Sequence, residues 1–102
     1  MKNVILSADV YVFVCSVPDV VADNLEEYCI EFDHWLHTPE GKQYCLEKHN
    51  DKNICCLPHD FIDRLNESIF PDTPSKFISN LGHICQINEL PDSCKDYPWF
   101  NF

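Results

Sequence analysis

The sequence predicts a small single α+β domain, with a short β-sheet built around a central N-terminal strand and three to four helices covering it. Three observations carry this. Residues 4–17 are dominated by β-branched and aromatic residues, with Asp9 interrupting them. Apolar residues then recur at three- and four-residue spacing over much of the chain. The length of 102 residues allows one hydrophobic core, so residues 1–102 form one domain. Apolar residues make up 45 % of the chain and only two glycines occur, which excludes a flexible, low-complexity chain despite the net charge of −10.

Taken in order, residues 4–17 read as the main strand. Val10, Val12 and Val14 alternate with Tyr11, Phe13 and Cys15. Both alternating sets are apolar, so the strand is expected to be covered on both faces. Pro18 and Asp19 open a helix, because proline suits a first turn and an acid complements the dipole there. Val21, Leu25, Tyr28, Phe32 and Leu36 continue it at helical spacing, and Thr38-Pro39 ends it near His37. Ile30 and Trp35 lie off that stripe, which puts one of them at the surface.

Thr38-Pro39-Glu40 caps a second short helix to about His49, preferred over a hairpin pairing 42–47 with 53–57. Residues 54–57 read as a short strand ending at Pro58. Residues 59–70 return to helical spacing through Phe61, Ile62, Leu65 and Ile69. Thr73-Pro74 caps a further helix carrying Phe77, Ile78 and Leu81, with Gly82 as its stop. Residues 84–87 read as a last strand, and the aromatic tail 97–102 is expected to dock on the body.

Seven cysteines would suit a disulfide framework in an oxidising compartment, but their number is odd and the N-terminus does not read as an export signal. They are expected to be reduced, buried thiols in a cytoplasmic protein. No apolar stretch approaches the roughly 20 residues needed to span a membrane. Two isolated glycines cannot build a phosphate-binding loop, and no motif around a cysteine marks a nucleophile, so a non-enzymatic role is expected, without a cofactor.

Charge is the sharpest feature. Residues 3–41 hold eight acids and no lysine or arginine, and so carry −8 of the net −10. Asp19, Asp23, Glu27 and Glu31 are spaced by four along one expected helix, joined by Glu26 and Asp33. Like charges at that spacing cost about 0.2–0.5 kcal/mol per pair, and a helix face shaped for solubility alone would interleave lysines. These six residues form the candidate surface for a basic protein partner, with Trp35 or His34 as a neighbouring aromatic anchor if exposed. The same field repels nucleic acid and gives no handle for a membrane.

These properties match small acidic proteins that neutralise a larger, basic, nucleic-acid-handling enzyme, of the toxin-immunity or anti-defence type. That is a likeness of properties and names no family. An alternative is a small zinc-binding module. Cys45-x3-His49 and Cys55-x3-His59 would supply four ligands, although no Cys-x2-Cys knuckle is present.

Overall fold

The structure, a computed structural model, describes residues 1–8, 11–50, 57–83 and 90–102, leaving aside the side chains of His49, Leu57 and His83. Among these residues, four helices pack against a four-stranded mixed sheet. The elements in chain order are β1 (Lys2–Ala8), β2 (Tyr11–Val17), α1 (Asp19–Asp23), α2 (Leu25–Leu36), α3 (Pro39–His49), α4 (Leu57–Arg64), a π-helical turn (Leu65–Ile69), β3 (Lys76–His83), a 3-10 turn (Asp92–Cys94) and β4 (Trp99–Asn101). The sheet order is β3-β2-β1-β4, with β1–β2 and β2–β3 antiparallel and β1–β4 parallel.

The run expected as one strand is two. β1 and β2 pair in register from Lys2 opposite Val17 to Ala8 opposite Tyr11. The reason is partly length: fourteen extended residues would reach about 46 Å, beyond the 40 Å longest dimension of the molecule. Folding the run back lets each half hydrogen-bond the other. Coverage of both faces holds as expected. Val4, Leu6, Cys15 and Val17 face the helices with Val21, Leu25, Cys29, Phe32, Phe61 and Leu65. Ile5, Val12 and Val14 face the other way, beneath Leu90 and Cys94.

The expected helix from Pro18 to His37 is also divided. Asn24 sits at φ −130°, ψ 38°, between α1 and α2. Its side-chain amide donates to the Val20 carbonyl at 3.0 Å, and its backbone N–H to the Val21 carbonyl at 3.3 Å. An asparagine side chain that bonds the preceding turn competes with the helix ladder and ends it there.

The expected stop at Thr38 and the helix after it are both present. The Thr38 hydroxyl donates to the Trp35 carbonyl at 2.6 Å and accepts from the Gly41 N–H at 3.2 Å. A Cβ at Gly41 would overlap the Trp35 carbonyl oxygen and lie 2.6 Å from Leu36 Cα, so α3 can cross the end of α2 only with glycine here. The hairpin alternative is thereby excluded for residues 42–47. Residues 54–56 and 84–87, expected as strands, lie outside the described residues, whereas Leu57 and Pro58 open α4 rather than end a strand.

The helix expected after Thr73-Pro74 is the edge strand β3. Asn66, in the π-helical turn, donates to the Ser75 carbonyl at 2.9 Å and accepts from the Ser75 N–H at 2.6 Å, which fixes the chain extended as it reaches β2. Eight residues of β3 oppose six of β2, so Ile78 and Leu81 are left unopposed at two register shifts. Those shifts put Phe77 with the helices and Leu81 on the opposite face. They also disguise a strand as a helix, because period-two alternation is lost. Gly82, expected as a helix stop, takes φ +72° within this irregular strand.

The tail docks as expected, and does so as a strand. Ile5 N–H donates to the Pro98 carbonyl at 2.7 Å and Phe102 N–H to the Ser7 carbonyl at 2.8 Å. The Phe102 ring lies 5.0–6.1 Å from those of Phe32, Phe61 and Phe100. Phe102→Ala is expected to cost about 2–4 kcal/mol in urea unfolding. A loss below about 1 kcal/mol would mean that the tail rests on the helices without holding them.

Cys15, Cys29 and Cys94 are free and buried, as expected of reduced thiols, and Cys45 is buried as well. Burial pushes the thiols of Cys15 and Cys29 up to about 12. The folded protein therefore holds protons that an unfolded chain releases above the ordinary thiol value of 9.0. Stability should fall as pH rises through that value, and go on falling until the folded thiols ionise near 12. Urea midpoints measured from about pH 7.5 to about pH 10.5 should show this decline, with a shallower slope in the Cys15→Ala/Cys29→Ala variant.

Candidate docking surface

α2 is held by its inner face. Leu25, Cys29 and Phe32 are buried, with Tyr28, Trp35 and Leu36 half-buried around them. The 3.6-residue period then turns Glu26, Glu27, Ile30, Glu31, Asp33 and His34 outward, and all six are exposed. Ile30 is 43 % exposed, a large apolar side chain among carboxylates. Glu26 and Glu27 occupy the first turn of α2, where the dipole favours them. Among the described residues, no ion pair involves Glu26, Glu27, Glu31 or Asp33.

Asp19 and Asp23 behave differently. Asp19 accepts from the N-terminal amine at 2.9 Å and Asp23 from Lys2 Nζ at 2.7 Å. The amine holds the Asp19 carboxyl below its ordinary value, and Asp23 raises the Lys2 ammonium. Because Asn24 divides the helix, the four-spaced row Asp19, Asp23, Glu27, Glu31 is not one continuous helical face. Its first half is engaged with the start of β1, and its second half stands open on α2.

Beside that open face lies a cleft of about 250 Å³, lined by Ile30 and Asp33 from α2 and by Phe100, Asn101 and Phe102 from the tail. Sequence reasoning placed the carboxylates on a helix but did not bring the aromatic tail to them. The parallel pairing of β4 with β1 does so, and nothing local in the sequence signals it. Trp35 is not an exposed anchor. It is half-buried, its ring centroid 6.1 Å from that of Phe32 and 5.5 Å from that of Tyr44, and Arg64 Cζ lies 3.8 Å from its own centroid. Its indole N–H is buried and has no hydrogen-bond partner among the described residues. His34 is exposed.

A second polar group also escaped the sequence reading. The Tyr44 hydroxyl on α3 lies 3.2 Å from Asp60 Oδ1 and 3.4 Å from Asp63 Oδ2 on α4. Burial, and then the two carboxylates, raise the phenol far above its ordinary value. It therefore stays a proton donor at every physiological pH and ties α3 to α4. The signal was present as two acids three apart on an amphipathic helix, but their phenolic partner sits on another element.

Of the expected zinc ligands, Cys45 is buried and His59 is exposed, its ring 4.5 Å from that of Phe77 and 5.3 Å from that of Phe13. Cys55 and the His49 side chain lie outside the described residues. Among the described residues, no group of three or more His, Cys, Asp and Glu is placed to hold a metal ion, and no helix is long and apolar enough to cross a membrane.

Comparison of the chain with protein-family models, with curated proteins and with solved structures finds no match. What the structure itself presents here is a set of exposed carboxylates beside a cleft with apolar and aromatic walls.

Tyr44→Phe keeps the ring contact with Trp35 and removes the hydroxyl from a buried carboxylate. It is expected to cost about 1–2 kcal/mol in urea unfolding. Unchanged stability would show that the hydroxyl does not brace the two helices.

Proposed function

We propose that the protein is a stoichiometric inhibitor that docks on a basic, nucleic-acid-handling protein through the outer face of α2, with Glu26, Glu27, Glu31 and Asp33 as the contacting carboxylates. One observation carries the reading: these four exposed carboxylates have no cationic partner among the described residues. Their neighbours Asp19 and Asp23, which the sequence groups with them, are engaged within the fold and contribute field rather than contact.

A nucleic-acid-binding groove is lined with lysine and arginine to neutralise phosphates. A compact body with a net charge of −10 and open carboxylates on one helix competes for the same charges. Its field also speeds encounter and disfavours acidic partners. Ile30 and the cleft supply the apolar contact that a charged rim lacks, since interface energy concentrates where water is excluded.

The test is affinity capture from lysate of producing and target cells. Wild type runs beside a variant carrying Glu26→Gln, Glu27→Gln, Glu31→Gln and Asp33→Asn. Wild type should retain a basic nucleic-acid-binding protein, release it by about 0.5 M salt, and inhibit its activity at equimolar ratio. The variant should lose at least about tenfold in affinity, roughly 1.4 kcal/mol. Equal retention by both proteins would move the interface off α2, and an acidic or neutral partner would overturn the reading.

A further inference from the structure

We infer that the cleft between α2 and β4 receives a single arginine side chain, carried on an extended segment of the basic partner. This rests on the docking role proposed for α2 and adds the point of entry.

The cleft joins two chemistries that a guanidinium uses together. Phe100, Phe102 and Ile30 give it apolar and aromatic walls, and the exposed Asp33 carboxylate stands among them. A guanidinium is flat and weakly hydrated, so it stacks on aromatic rings while its fork of N–H groups engages a carboxylate. A lysine ammonium is compact and strongly hydrated and suits an open carboxylate better than an aromatic cleft. The protein already shows the first of these contacts internally, with Arg64 Cζ 3.8 Å from the Trp35 ring centroid.

Charge points the same way. Glu26, Ile30 and Asp33 are spaced four and three apart on α2, so a second exposed carboxylate shares the face that opens onto the cleft. A volume of about 250 Å³ suits one long side chain rather than the face of a helix.

The sheet edge favours an extended carrier. Pro98 C=O and Phe102 N–H face β1, and β4 is the last strand of the sheet among the described residues. Strand alternation therefore turns the N–H and C=O of Trp99 and Asn101 away from β1, beside the cleft. An extended segment can hydrogen-bond those groups while one side chain enters the cleft. With three residues in β4, the edge orients the segment and the side chain supplies the selectivity.

The experiment is an NMR titration of isotope-labelled full chain with the peptide acetyl-Gly-Arg-Gly-amide. Parallel titrations use the same peptide with citrulline, the neutral isostere, and with lysine. The arginine peptide should shift the amides of Ile30, Asp33, Asn101 and Phe102, citrulline should not, and lysine should bind more weakly. Asp33→Asn should weaken the arginine peptide about two- to fivefold, and Ile30→Ser should weaken it while leaving the spectrum folded, since both side chains are exposed. No localised shift, equal response to citrulline or lysine, or shifts centred on Glu27 and Glu31 would overturn the inference. Loss of the cellular partner from the four-carboxylate variant, together with full retention by Asp33→Asn alone, would overturn the cleft and leave the docking face standing.

Discussion

The antiparallel pairing of β1 with β2 is the constraint on which the rest depends. Both strands bury side chains on both faces, so water reaches little of their backbone. A buried amide without a partner costs as much as several hydrogen bonds contribute, and each strand therefore needs a neighbour on each side. β1 takes β2 and β4, and β2 takes β1 and β3. The shortness of β4 and the two shifts in β3 are tolerable because those strands close the edges of a two-strand centre. The two covering layers follow from the same demand: helices over Val4, Leu6, Cys15 and Val17, and the segment carrying Leu90 and Cys94 over Ile5, Val12 and Val14.

Much of this was legible in the sequence where local chemistry and global fold agree. Two-sided apolar alternation gave a doubly covered sheet, Thr38-Pro39 gave a helix boundary, and the spacing of Phe61, Ile62 and Leu65 gave α4. The errors share a cause. The antiparallel pairing of β2 with β1 is a long-range arrangement that the apolar alternation of residues 4–17 does not reveal. β3 was read as a helix because Phe77 and Leu81 are four apart, and only the irregular pairing with β2 sends them to opposite faces. Asn24 is an ordinary residue in a helix until its side chain bonds back to Val20. Four-residue spacing lines up Asp19, Asp23, Glu27 and Glu31, with Glu26 and Asp33 beside them, and that break, together with the cations at the start of the chain, separates the first two from the other four.

The charges on α2 are affordable because its inner face is so well anchored. Burying side chains such as Leu25 and Phe32 contributes about 1.5–3 kcal/mol each, whereas the repulsion between Glu27 and Glu31 costs about 0.2–0.5 kcal/mol. Packing wins by a wide margin. The outer face is thus free to carry a one-signed field at little cost to folding. That separation lets a charged surface be changed without unfolding the protein beneath it.

The position of the cleft follows from the same logic. Parallel pairing requires a long connection, so the strand that closes the open edge of β1 arrives from distant sequence, after the whole of α1 to β3. Pairing with β1 then alternates the tail's side chains: Trp99 joins the far face, its indole donating to Ser7 Oγ at 2.8 Å, while Phe100 and Phe102 join the helix face. On that side the tail meets both α2 and α4, with the Phe102 ring 6.1 Å from that of Phe32 and 5.8 Å from that of Phe61. An aromatic pair brought to the rim of a carboxylate-bearing helix is therefore a consequence of closing the sheet. A need for backbone hydrogen bonds at one strand edge thereby creates the juxtaposition of aromatic and acid from which binding chemistry can be built.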